Sequence, residues 1–296
     1  MWSDNGWLHH LGSLDFAGGS VVHISSGLSA LSASIVMGKR KHKEEEEEAK
    51  VDIHFNLLGG ALLWVGWFGF NGGSALTSGQ VASLAFINTQ ITASSAMFFW
   101  MMIEAFVNKS VTVEGAIYAA VCGLVVITPA AGYVLPGYCI IIGLYTAIIC
   151  YSFLVFWRRY VAKRVDDTSY VFCSHGLGGI LGSFTTGLFA TLKANPAGAD
   201  GAFYGRPIQL GYQMADICAT SAWSFVVTAL IVILIRLVSE KLLGSFGPIV
   251  EDDPSTVKEN ANFLVGGRAA PSYAKIDVVG ENSKKTFDSF IAAGKV

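Results

Sequence analysis

Charge is what this sequence has least of. Only 14% of its 296 residues are Asp, Glu, Lys or Arg, against 52% hydrophobic ones, and mean hydropathy is +0.51. From Val51 to Asn108 the only such charged side chains are Asp52 and Glu104. A water-soluble domain of this size could not hide that much apolar surface, so the chain reads as an integral membrane protein. The basic runs are short, which leaves no case for nucleic acid as a partner. Cysteine is scarce as well: the five lie at 122, 139, 150, 173 and 218, mostly inside apolar stretches. That spacing fits neither a zinc site nor a disulfide framework, and packing is the role expected of them. No metal or cofactor is expected, and no signal or transit sequence is recognised before the first apolar stretch.

What is present is a series of long apolar runs. Seven are read as spans, at about 14–37, 53–71, 87–107, 115–131, 137–157, 170–192 and 213–237. Each has the roughly 17–25 residues that cross a hydrocarbon core of about 30 Å. The expected fold is therefore all-α and multi-spanning over residues 1–238, followed by a tail at 239–296. That tail mixes Gly, Pro, Ser and charge without a period and is expected to be disordered. "KRKHKEEEEEAK" at 39–50 reads as a solvated loop. Twelve Lys and Arg, among them Lys39, Lys109, Arg158 and Arg236, fall on one side of the spans, and only Lys193 and Arg206 on the other. By the positive-inside rule the amino end faces outward and the tail is cytoplasmic.

Polar residues inside the apolar runs carry the functional signal. In "LDFAGGSVVHISSG", Asp15 precedes His23 by eight residues and Gly27 follows it by four. Asp167, His175 and Gly179 repeat that spacing on a span of opposite direction, the pattern of an inverted repeat. If the acids mark the membrane faces, each histidine lies about 12 Å in, and the two come within reach near the midplane. Gly19, His23 and Gly27 form one small-residue stripe, and His175, Gly179, Ser183 and Gly187 another, which lets backbones approach closely. Three readings stay open for the histidines. They are packing residues, a proton-sharing pair along a pore, or the axial ligands of a haem. An acid two turns toward the surface favours the second, because Asp15 could attract or orient a cation that must shed water.

At this point the residues resemble a known family. "LDFAGGSVVHISSGLSAL" is similar to the signature of the ammonium transporters, Amt/Mep/Rh, nearest the Amt and Mep branches. "GWFGFNGGSA" (66–75), "GLVVITPAAGYV" (123–134) and "RVDDTSYVFCSHGLGGILG" (164–182) extend the likeness over about residues 2 to 238. The resemblance implies eleven spans in two inverted halves, homotrimers, and a narrow pore in each subunit. On that template the chain corresponds to the fifth through eleventh spans, and Met1 reads as an internal methionine of a longer protein.

The resemblance also implies roles. His23 and His175 match paired pore histidines that relay a proton and contact deprotonated substrate. Asp15 matches an acid near the outer vestibule, Phe70 one of two gating phenylalanines, and Trp67 an aromatic lining the pore beneath them. Ser74 matches the hydroxyl of an external recruitment site, and Trp2 supplies its cation–π wall. Tyr170 departs from the pattern, since many members carry an acid there. Glu104 and Asp216, near span ends, are expected to snorkel. The chain is thus expected to be a transporter subunit in the plasma membrane and not an enzyme. It would conduct ammonia and a proton, with membrane lipid as its surroundings. An ammonium sensor signalling through its tail is the alternative.

Overall fold

The computed structural model describes residues 1–39 and 52–242. The expected disorder of the tail beyond Leu242 and the solvated reading of most of the acidic loop lie outside the described residues. Among those residues the architecture is all-helical, as expected.

After a short helix α1, Trp7–Leu11, a π-helical turn, Gly19–Ile24, runs into α2, Ser25–Met37. Helix α3, Ile53–Gly73, starts where Asp52 accepts a hydrogen bond from His54 N at 2.8 Å. Helix α4 spans Gln80–Val107, and α5, Val113–Ile127, starts at Thr112, whose hydroxyl accepts from Gly115 N at 3.1 Å. These side chains satisfy N–H groups that a helix start leaves unpaired. Pro136 opens α6, Pro136–Phe156, at a first-turn position where no N–H is needed. A π turn, Trp157–Val161, ends it. A third π turn, Phe172–Gly176, runs into α7, Leu177–Phe189, and α8 covers Ile208–Leu242.

Each of the seven expected segments is helical, but the bounds differ. Helix α4 begins at Gln80, well before 87, and α5 stops at Ile127 because Thr128 and Pro129 turn the chain. The first and sixth segments begin later than expected, because Asp15 and Asp167 hold non-helical backbone ahead of them. Among the described residues, five helical stretches are long and apolar enough to cross a membrane: Gly19–Met37, Ile53–Gly73, Gln80–Val107, Pro136–Val161 and Ile208–Ser239.

Helix α5 sits at the centre, in contact with α3, α4, α6 and α7. Every residue from Cys122 to Ile127 is buried there, and the burial continues through Thr128, Ala130 and Ala131. A helix enclosed by others can be shorter than a lipid-facing one. Four of the five cysteines, at 122, 139, 150 and 173, are buried in this core, and Cys218 is exposed. By contrast α3 and α8 present Phe55, Leu62, Val65, Leu230 and Leu234 outward. An apolar surface this continuous belongs against lipid or protein and not against water.

Glu104 and Asp216 do not snorkel. Glu104 is 6% exposed and accepts from Trp100 Nε1 at 3.2 Å and Thr112 N at 2.9 Å, joining the end of α4 to the start of α5. Asp216 is fully buried on α8, where Oδ1 accepts from Thr220 Oγ1 at 3.1 Å. Helix packing covers both positions, and linear distance from a span end does not report that.

Candidate functional site

The two histidines come from the first and third π turns. In the first, Asp15 spends its whole carboxylate on the backbone ahead of His23. Oδ1 accepts from Gly18 N at 2.9 Å and Gly19 N at 2.6 Å; Oδ2 accepts from Ser20 N at 2.9 Å and Ser20 Oγ at 2.8 Å. Asp167 does the same before His175, accepting from Val171 N at 2.9 Å and Phe172 N at 2.8 Å. Each acid is therefore the N-terminal cap of the segment that carries its histidine. Asp15, expected to attract or orient a cation, has both oxygens occupied by these donors and is only 5% exposed. Gly18, at φ 114°, turns the chain back over the carboxylate in a conformation that L side chains avoid.

Past the cap, His23 N donates to Gly18 O, five residues back, at 3.0 Å. This wider winding rotates the imidazole relative to a regular helix, and such turns recur at functional sites. The two segments cross where Gly27 meets Gly176: a Cβ on Gly27 would lie 2.1 Å from Gly176 N. That close approach brings the rings together. His23 Nδ1 and His175 Nδ1 are 3.1 Å apart, with ring centroids at 5.1 Å. One nitrogen must donate and the other accept, so the two rings hold opposite tautomers. A hydrogen-bond separation leaves no room for an iron between the rings, which removes the haem reading. His23 is 2% exposed, and its Nε2 is buried with no hydrogen-bond partner among the described residues.

Aromatic rings continue the site. Trp67 lies parallel to His23, 18° between planes and 5.3 Å between centroids. Phe70 stands 6.1 Å from His23 and 5.6 Å from Trp67, edge-on to the indole. A cavity of about 650 Å³ is lined by His23, His175, Trp67, Phe70, Val22 and Leu62, among others. Its wall is apolar except at the histidines and Ser26.

The remaining expected residues lie in a second cavity of about 830 Å³, whose lining includes Trp2, Asp15, Ser74, Tyr133 and Arg206. Trp2 is 55% exposed, and its Nε1 donates to Asp15 O at 2.8 Å, which uses the single N–H of the indole. Ser74 Oγ donates to Phe70 O at 2.7 Å. That bond uses its hydrogen and leaves its lone pairs. The expected residues thus divide into two groups, an outer one with Trp2, Ser74 and the Asp15 cap, and an inner one with both histidines, Trp67 and Phe70.

Sequence reasoning missed Thr128, which accepts Trp67 Nε1 at 2.9 Å. Thr128 stands in "GLVVITPAAGYV", but nothing in that stretch points toward residue 67. Tyr170, flagged as a departure, has φ 52° and lies under the Arg158 guanidinium at 4.9 Å.

The profile of the Ammonium Transporter Family matches residues 1–244. The chain is 46% identical over 240 residues to the Bacillus subtilis protein named ammonium transporter, covering 80% of this chain and 57% of the relative. It is 42% identical to ammonium transporter Amt1 of Archaeoglobus fulgidus, covering 78% and 57%. Among solved structures, Saccharomyces cerevisiae Mep2 superimposes with a TM-score of 0.73 at 32% identity, covering 80% of this chain and 55% of that one. Candida albicans Mep2 gives 0.73 at 34% identity, covering 93% and 63%. The chain spans about half the length of the curated relatives it matches.

Proposed function

Because the chain belongs to the Ammonium Transporter Family, we propose that it forms part of a pore that moves ammonium across the plasma membrane as ammonia and a proton. The observation that carries this reading is the 3.1 Å contact between His23 Nδ1 and His175 Nδ1 in an apolar cavity. An intact cation is very costly to place against such walls, and neutral ammonia is not. The pair supplies what the separated proton needs, since one ring accepts while the other donates and transfer inverts both tautomers.

Ammonium first meets the outer cavity, where the Trp2 face attracts it by about 0.5–2 kcal/mol and Ser74 offers lone pairs. Asp15 acts there as the cap that fixes the first π turn, and its charge biases the cavity toward cations without touching them. Phe70 and Trp67 bound the passage to the histidines. The Nε2 of His23, buried without a hydrogen-bond partner among the described residues, is the polar atom left to meet ammonia or its proton. Potassium has no proton to give up and is rejected at that step. The subunit works as a homotrimer in lipid, with its amino end outside and its tail in the cytoplasm, and performs no catalysis. Among the described residues nothing favours the sensor alternative.

The test is ammonium-evoked current from the protein that carries this chain, beside its His23→Ala and His175→Ala variants. Both substitutions are expected to lower the current and to blur discrimination against potassium. Full, potassium-blind current in both variants sinks the proton relay.

A further inference from the structure

Thr128 is fully buried just past α5, and it does not line the cavity that holds the histidines. Its hydroxyl hydrogen goes to Leu124 O at 2.7 Å, so only lone pairs remain, and one of them accepts Trp67 Nε1 at 2.9 Å. An indole has a single N–H, and pinning it fixes how the ring is turned about its stem. That ring is the one that lies parallel to His23 at 5.3 Å.

The segment carrying Thr128 is itself anchored. Asn88 Nδ2 donates to Ala131 O and Val134 O, both at 2.8 Å, and Phe16 N donates to Pro129 O at 3.1 Å. The Pro129 ring fills the space beside Gly19 and Gly182, where a Cβ would lie 2.5 and 2.7 Å from it. Those two glycines belong to the His23 and His175 segments. Thr128 therefore hangs from a fixed point that both histidine segments share, and its hydroxyl reaches the rings through Trp67.

We infer that Thr128 is a positioning residue: its hydroxyl sets the plane of the Trp67 indole, and through that stacked ring the tilt of the His23 imidazole against His175. The inference rests on the proton-relay reading above and deepens it. A hydroxyl that merely satisfied a buried N–H would stabilise the fold and leave the imidazoles unaffected.

The experiment compares the wild type with Thr128→Val, Thr128→Ser and Trp67→Phe in the full transporter that carries this chain. Each is read by ammonium-evoked current and by the nitrogen NMR signals of the His23 and His175 rings. Val keeps the shape and removes the acceptor. Maximal current is expected to fall about tenfold as the imidazole pair loses its alignment. Half-saturating ammonium stays unchanged, because Trp2 and Ser74 are untouched, and the imidazole signals shift. Ser restores both. Adding Thr128→Val to Trp67→Phe, which already lacks the N–H, has no further effect.

Wild-type current and signals in the Val variant overturn the inference, as does failure of Ser to restore, or a Val effect that adds to that of Phe. If the Val variant does not accumulate, Trp67→Phe still has to shift the imidazole signals and Ser has to leave them in place; any other result overturns the inference. A wild type without ammonium current defeats the transport reading, and the imidazole signals then decide the positioning role by themselves.

Discussion

Replacing Asp15 by Asn separates a carboxylate that works on the protein from one that works on a passing cation. Asn matches Asp in shape and keeps one oxygen, which can go on accepting from Gly18 N and Gly19 N as Oδ1 does at 2.9 and 2.6 Å. The other terminus becomes an NH2 facing Ser20 N and Ser20 Oγ, which approach Oδ2 at 2.9 and 2.8 Å. The hydroxyl can rotate and accept, but the backbone N–H cannot turn away, so donor meets donor there. One hydrogen bond to a charged acceptor, about 1.5–3 kcal/mol, is lost, and the two that remain weaken because their acceptor is now neutral. The expected destabilisation is about 3 kcal/mol. Followed by tryptophan fluorescence on the purified protein, the midpoint of thermal inactivation should fall by about 5–10 °C. Ammonium current, recorded well below that midpoint, should fall with it, because a loosened π turn no longer aims His23. An Asn variant with the wild-type midpoint and no current would falsify the capping role, and would put the carboxylate on the cation instead.

Two further outcomes follow from the same geometry. Gly27→Ala places a Cβ 2.1 Å from Gly176 N and 2.3 Å from its Cα, backbone atoms that cannot yield locally. The segments must part, at an overpacking cost of about 1–3 kcal/mol. Loss of the His23–His175 contact in the nitrogen NMR spectrum should accompany loss of current; an intact pair in this variant contradicts the crossing. At the start of α3, the N–H of His54 holds the Asp52 carboxyl below its ordinary value. Its cap is therefore present above the usual carboxylate range and lost as pH falls through the lowered value. Protection of the His54 amide, taken relative to its intrinsic exchange rate at each pH, should fall with acid in the wild type, and Asp52→Ala should be unprotected at every pH; identical profiles refute the cap.

The helices and the pairing of acid with histidine were legible because they are local. Hydropathy over some twenty residues reports a helix that water will not tolerate, and an eight-residue spacing is readable in one line of text. The π turns were not legible: no propensity distinguishes Gly19–Ile24 from the helix that follows, and the wider winding comes from the cap and the crossing. Glu104 and Asp216 were misjudged for a related reason. Position along the chain does not report depth, and neighbouring helices decide their burial.

Composition and charge order by themselves determined that this chain is a set of apolar helices and that each histidine follows an acid at fixed range. Tertiary structure alone decided that imidazoles 152 residues apart touch, that Asp15 is consumed as a cap, and that Thr128 reaches an indole 61 residues away. Periodicity records which face of a helix avoids water. Which atoms on two such faces meet depends on how closely the helices cross, and that is set by the absence of a side chain at Gly27, where a Cβ would meet the Gly176 backbone, a partnership no local pattern encodes.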